Sequence, residues 1–203
     1  MPTTWPTDIV PYQIDFYLKK NTTTFESPLT RTRQTLSRRG DQWICDASFR
    51  LDRQKAQRLD ALLDVGAGGS FYLFDFSRTA PYNGDPGGSV RVITEYSRGT
   101  TSISISGLPV SQSWLVAGDL LAIDGYLYRL TADLSANGSG IGTATLNRGL
   151  VAALSGSPTL WPVTLVRPRV EMRLRDDDQA RRTKSYDGMN EYTVGFVEVL
   201  PKT

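Results

Sequence analysis

Two segments of this chain that contain aspartates could bind a metal ion. Asp133, Ser135 and Asn137, followed by Gly138, have the spacing of the first three oxygen ligands and the glycine of a calcium-binding EF-hand loop. The twelfth position of such a loop needs a bidentate glutamate, and here it is Ala144. We therefore predict a glycine-rich turn at this place and no calcium site.

A second carboxylate group consists of three consecutive aspartates, Asp176 to Asp178, which could hold a hard cation. No neighbouring residues complete a coordination pattern, and nearby arginines balance the negative charge. These are Arg173, Arg175, Arg181 and Arg182. Adjacent residues on one loop also lack the separation that the two carboxylates of a glycosidase need. We predict a solvated loop.

Histidine chemistry is excluded because the 203-residue chain contains no histidine. This removes Ser-His-Asp and Cys-His catalysis and the usual proton shuttle near neutral pH. Cys45 is the single cysteine, so no intrachain disulfide can form, and its inward position in an alternating strand predicts a buried, unreactive thiol. We predict a protein that is not an enzyme and that uses no metal or cofactor.

Arginines around one turn are candidates for a binding surface: Arg31, Arg33, Arg38 and Arg39. Strand alternation places Arg31 and Arg33 on one face, and we include Phe25 of the preceding strand in the predicted interface. Contact with a protein partner and a solvated face offset by nearby acids both stay open. A net charge of +2 is small for a protein whose main task is to grip nucleic acid.

Aromatic residues are frequent in and beside the middle of the chain: Tyr82, Tyr96, Trp114, Tyr126, Tyr128 and Trp161. Tyr126 and Tyr128 are two positions apart in one predicted strand, so they share a face. They could form a platform for a glycan or a protein, or a stripe buried in a core.

The elements that position these residues are mostly strands. Residues 42–51 predict a half-buried antiparallel strand with an apolar and a polar face. The apolar face consists of Trp43, Cys45, Ala47, Phe49 and Leu51, and the polar face of Gln42, Asp46, Ser48 and Arg50. A helix is predicted from Arg53 to Val65, with Asp52 as N-cap and Gly66 as its stop. Further strands are predicted at 13–18, 22–26, 30–36, 71–76, 90–96, 102–105, 120–123, 126–131, 143–146, 170–174 and 192–200. Asp124-Gly125 predicts a two-residue hairpin turn between two of these strands, and residues 38–41 predict a hairpin turn before the strand 42–51.

The domain organisation follows from a change in composition after residue 76, where a loop rich in proline and glycine begins. The fold class that we predict is mainly β, an antiparallel β-sandwich host domain with one α-helix and an inserted small β-barrel-like module. The host domain comprises residues 1–83 plus 168–203, and the insertion comprises residues 84–167. No apolar run approaches the ~18 residues that span a bilayer, and the N-terminus lacks a signal-peptide pattern. We expect synthesis in the cytoplasm and no membrane insertion.

Two stretches resemble tail proteins of long-tailed bacteriophages. The segment from Thr24 to Thr30, followed by Gln34, by Trp43 at the start of an alternating strand and by the helix, is similar to the opening of distal tail and minor tail proteins. Residues 117–119, 131–133, 138–140 and 145–146 resemble a β module common in phage tail proteins. The resemblance identifies a structural family and carries no functional residue.

The resemblance implies a structural virion protein located at the tail tip. Such proteins form a ring, usually of six copies, that joins the tail tube to the hub or baseplate and supports fibre or receptor-binding proteins. The expected partners are further copies of the chain, the tail tube protein, the hub and other tail-tip proteins, with DNA only as passing cargo. A carbohydrate-binding tail-tip module that contacts the host cell surface is the alternative, and a cell-wall hydrolase is a third reading.

Overall fold

The computed structural model describes residues 2–38, 40–64, 68–156, 161–177, 183–184 and 188–201. The predicted fold class is confirmed: the protein is mainly β, with several antiparallel sheets and one α-helix among these residues. The elements in chain order are β1 (Thr3–Thr4), β2 (Gln13–Lys19), β3 (Thr22–Glu26), β4 (Arg33–Ser37), β5 (Gln42–Leu51), α1 (Arg53–Leu63), β6 (Phe71–Phe74), β7 (Arg91–Val92), β8 (Ser102–Ser106), β9 (Ser113–Leu115), β10 (Leu120–Ile123), β11 (Tyr126–Arg129), β12 (Leu134–Ser135), β13 (Gly142–Thr145), β14 (Val163–Thr164), β15 (Arg169–Leu174), β16 (Thr183–Lys184) and β17 (Asn190–Glu198).

The main sheet joins the two ends of the chain. Its strand order is β1-β6-β15-β17-β5-β2, and β16 also pairs with β17. All pairs are antiparallel except β1 with β6. One strand, β5, pairs over most of its length with both β17 and β2, so it lies inside the sheet.

The first core covers one face of this sheet, and α1 packs into it. The inward residues of β5 and the apolar stripe of α1, which is Ala56, Leu59 and Leu63, are buried together. The helix begins where predicted, because the Asp52 carboxylate accepts a hydrogen bond of 2.9 Å from the backbone nitrogen of Lys55. It ends at Leu63, two residues before the predicted end, and Val65 and Gly66 lie outside the described residues.

The second core is built from buried residues between Val90 and Leu165. Three small sheets surround it, with the orders β11-β10-β14, β12-β9 and β13-β8-β7, and they do not form a closed barrel among the described residues. Asp124 and Gly125 both have positive φ, +50° and +79°, in the tight turn between β10 and β11, which confirms the predicted hairpin.

Some predicted boundaries are wrong. The predicted strand 90–96 is a strand only at Arg91–Val92, and Tyr96 makes an isolated bridge to Leu154 instead. The predicted division at residues 83/84 and 167/168 stays a prediction. Leu120 and Leu127, from the middle of the chain, pack into the first core.

Candidate interaction surface

A β-hairpin arm, defined here as residues 20–41, leaves the main sheet between two strands that are themselves paired. Lys19 of β2 lies opposite Gln42 of β5, so the arm is inserted into the connection between them. Within the arm, β3 pairs with β4 over five residue pairs in a separate two-stranded sheet. The turn before β5 was predicted as a simple hairpin between β4 and β5. That is wrong, because β5 pairs with β2 and β17.

The arm has one apolar face. Phe25 is paired with Gln34 and Thr23 with Leu36, so Phe25 and Leu36 lie on the same face as diagonal neighbours. Phe25 is 54% exposed and Leu36 is 48% exposed, while Leu29 in the turn is 93% exposed. None of these three residues belongs to either core. A two-stranded hairpin with so much exposed apolar surface gains little stability from its own fold.

The opposite face of the arm is polar. Thr24 lies opposite Thr35, and the Arg33 guanidinium lies 3.4 Å from the Glu26 carboxylate. Both members of this ion pair are more than half exposed, so the pair contributes about 0–1 kcal/mol.

The predicted interface arginines therefore occupy three different settings. Arg31 lies in the turn with φ of +54°, outside β4, so the expectation that it shares a strand face with Arg33 is wrong. Arg38 is exposed at the base of the arm, where its backbone nitrogen donates to the Asn21 carbonyl. Arg39 lies outside the described residues.

The neighbouring strand β2 forms one edge of the main sheet. It pairs with β5 on one side, and no strand of the described part of the chain pairs with its other side. Ile14, Phe16 and Leu18 pack against the first core, whereas Asp15 and Tyr17 are exposed. At seven residues, β2 is much longer than β1 at the opposite edge. An unpaired edge of this length can pair with another chain.

The tyrosine pair does not form an exposed platform. Tyr128 is 1% exposed, because β11 is enclosed by the second core, and its hydroxyl accepts a hydrogen bond of 3.0 Å from the Val151 nitrogen. Tyr126 is partly buried against the same core. Of the two alternatives, an exposed platform and a buried stripe, these two tyrosines form the buried stripe.

Cys45 and two candidate metal ligands, Asp133 and Asn137, have structural roles. Cys45 is buried, and burial, together with the adjacent Asp46, raises the pKa of its thiol far above the ordinary value. The Asp133 carboxylate accepts a hydrogen bond from the Ala117 nitrogen, and the Asn137 side chain accepts from Ser139 and Ile141. Across the described ranges, no three His, Cys, Asp or Glu side chains are grouped to hold a metal ion. Asp178, Arg181 and Arg182 lie outside those ranges.

The structure contains a buried ion pair between Arg148 and Glu198 that was not predicted from the sequence. The two guanidinium nitrogens lie 2.5 and 2.6 Å from the two carboxylate oxygens, and both side chains are almost fully buried. The Glu198 carboxylate also accepts a hydrogen bond from the Trp43 backbone nitrogen, and the Arg148 guanidinium donates to the backbone carbonyls of Leu127 and Asp41. No local pattern could reveal a pair whose members are 50 residues apart.

Among the described residues, no helix is both long enough and apolar enough to cross a membrane.

No protein-family model matches this chain, and no curated protein matches it.

Proposed function

We propose that this protein is a structural subunit of a ring at the tail tip of a long-tailed bacteriophage. The ring joins the tail tube to the hub or baseplate and supports fibre or receptor-binding proteins. The observation that carries the proposal is the β-hairpin arm, which leaves the main sheet and exposes Phe25, Leu29 and Leu36. The resemblance of the Thr24–Thr30 segment and of the middle β module to phage tail proteins supports the same conclusion.

The partner of the arm is a second copy of this chain. The unpaired edge of β2 offers main-chain donors and acceptors, and the arm offers an apolar face and strands of similar length. Arm and edge are different surfaces of one subunit, so contact between them is heterologous, and repetition closes a ring if the rotation allows it. Six copies, flanked by the tail tube protein and the hub, would leave a channel for passing DNA.

Removal of the apolar side chains from the arm tests this proposal. The double variant Phe25→Ser and Leu36→Ser is expected to lower the fraction of ring-sized particles by at least about tenfold, since both side chains are lost from each contact. Native mass spectrometry and negative-stain electron microscopy of the purified chain, alone and with its tail tube protein, measure that fraction.

The matched control is Val110→Ser, which removes an apolar side chain that is 57% exposed, close to the 54% of Phe25, but lies outside the arm. Assembly of this variant should equal that of the wild type. A wild-type chain that stays monomeric with and without the tube protein would refute the ring, as would unimpaired assembly of the arm variant.

Carbohydrate binding at the tail tip is the second candidate, and a different tyrosine favours it. Tyr82 is 83% exposed and lines a cleft of about 490 Å³ together with Arg78, Thr79 and Asp119. The Asp119 carboxylate accepts from the Tyr82 nitrogen, which holds the loop in place. An exposed aromatic ring beside polar groups is the arrangement that stacks against a sugar.

A glycan array tests this candidate directly. Binding that is present in the wild type and lost in Tyr82→Ala, but kept in Tyr12→Ala at another exposed tyrosine, would support it. No binding to any glycan by the wild type would contradict it, and so would equal binding by both variants.

A further inference from the structure

A cleft of about 200 Å³ lies between the base of the β-hairpin arm, a loop at Gly99 and the loop after Arg148. Arg38 and Asp41 line it from the arm, Arg98 and Gly99 from the second loop, and Arg148 and Leu150 from the third. We propose that this cleft binds an oxyanion, the phosphate or carboxylate group of a ligand. The inference goes beyond the proposed ring and does not depend on it.

The charges of the cleft are the first argument. The exposed side chains of Arg38 and Arg98 make no ion pair and no side-chain hydrogen bond with any other described residue. Asp41 is the acid of the cleft lining, and it is already engaged by the Lys20 ammonium at 3.1 Å and by the Asn21 nitrogen at 2.8 Å. Two arginines without an ion-pair partner among the described residues thus line one cleft whose acid is already paired, which favours an anionic ligand.

Arg148 lines the cleft from inside the fold. It is 5% exposed, and its two terminal nitrogens are fully occupied by Glu198 and by backbone carbonyls. Its Nε–H is buried and has no acceptor within hydrogen-bonding distance among the described residues. An unsatisfied buried donor costs about 1–3 kcal/mol, and this one is covered by protein atoms, so an anion in the cleft is bound by Arg38 and Arg98 rather than by the Arg148 Nε–H.

Close backbone packing fixes the walls of the cleft. A Cβ atom on Gly149 would lie 2.5 Å from the Gly99 carbonyl oxygen, so the two loops touch through glycine. The Gly99 nitrogen donates to the Leu150 carbonyl at 2.8 Å, and the Arg148 guanidinium donates to the Asp41 carbonyl at 2.9 Å. Arg38 and Arg98 thereby lie on loops that are both hydrogen-bonded to the segment 148–150, which limits the backbone entropy lost when an anion binds.

Binding of inorganic phosphate and of acetate to the purified chain tests the proposal. Isothermal titration calorimetry is performed at constant ionic strength, with chloride as the reference anion, on the wild type, Arg38→Gln, Arg98→Gln and Arg53→Gln. Arg53 is an exposed arginine of α1 outside the cleft, so its variant makes the same charge change elsewhere.

The proposal predicts that each cleft variant weakens anion binding by at least about tenfold and that Arg53→Gln changes it by less than about twofold. Binding of phosphate alone identifies a phosphoryl group as the ligand chemistry, and binding of acetate as well admits carboxylates. Absence of binding above the chloride reference overturns the proposal. An equal loss in all three variants does so too, because it indicates unspecific attraction to net charge. The cleft arginines are exposed, and thermal melts confirm that each variant is folded.

Discussion

The Tyr128 hydroxyl lies inside the second core, where it accepts a hydrogen bond of 3.0 Å from the Val151 nitrogen. Burial raises the pKa of this phenol to about 12, from an ordinary value of 10. The neutral phenol is therefore favoured in the folded chain, and ionisation is easier once the chain unfolds. The stabilising contribution is complete below pH 10 and is lost as the pH rises from 10 through 12.

Tyr128→Phe should remove this pH dependence. At pH 8 we expect the variant to be less stable than the wild type by about 1–3 kcal/mol, since the buried Val151 N–H loses its acceptor. Between pH 10 and pH 12 the difference between the two proteins should shrink by up to about 2–3 kcal/mol, because the variant has no phenol to ionise at this position. Urea unfolding at a series of pH values measures both quantities. A constant difference across this range would contradict the pKa shift.

Helix α1 shows how a short element is held by its first turn and by one buried face. The Asp52 carboxylate satisfies one free backbone N–H at the start, and Ala56, Leu59 and Leu63 bury the apolar stripe against β5 and its neighbours. With 11 residues the helix is too short to be stable by itself in water. Cap and tertiary packing must act together.

Asp52→Ala should therefore lower the free energy of unfolding by about 1 kcal/mol through loss of the cap. The matched control is Asp64→Ala at the other end of α1, where a carboxylate faces the negative end of the helix dipole. Its removal should be neutral or stabilising by a few tenths of a kcal/mol, about 0.3. Thermal and urea unfolding compare the two variants. Equal destabilisation by both would argue against a capping role for Asp52.

At the scale of the whole molecule, the buried pair of Arg148 and Glu198 connects the two cores. Arg148 precedes β14 in the part of the chain that builds the second core, and Glu198 closes β17 of the main sheet. Trp43 adds a further link, since its indole nitrogen donates to the Leu127 carbonyl at 2.8 Å. The arm emerges beside this junction, because the Asp41 carbonyl at its base accepts from Arg148.

Glu198→Gln is expected to lower the free energy of unfolding by about 3–5 kcal/mol, because it leaves the Arg148 charge buried without its counter-ion. Asp8→Asn is the control, since it breaks an exposed pair with Arg58 and should cost no more than about 1 kcal/mol. Urea unfolding followed by tryptophan fluorescence and by circular dichroism measures both. A cost below that of Asp8→Asn would show that the junction does not hold the cores together.

The sequence by itself determined the features that depend on neighbouring residues. The alternation of residues 42–51 gave β5 its bounds, Asp52 gave the start of α1, and Asp124-Gly125 gave the turn between β10 and β11. Cys45 was correctly expected to be buried from the same alternation. Each of these follows from backbone hydrogen bonding, steric preference or side-chain direction within a few residues, so no knowledge of the rest of the chain was needed.

Only the tertiary structure decided which segments meet. Three features depend on residues that are far apart in the chain. They are the pairing of β2 with β5 across the intervening arm, the burial of Tyr128, and the ion pair between Arg148 and Glu198. The same holds for the cleft that gathers Arg38, Arg98 and Arg148 from three loops. Period-two alternation fixes which residues share a face. Whether that face meets solvent or a core is set by the packing of distant segments, whose combined burial outweighs local preference.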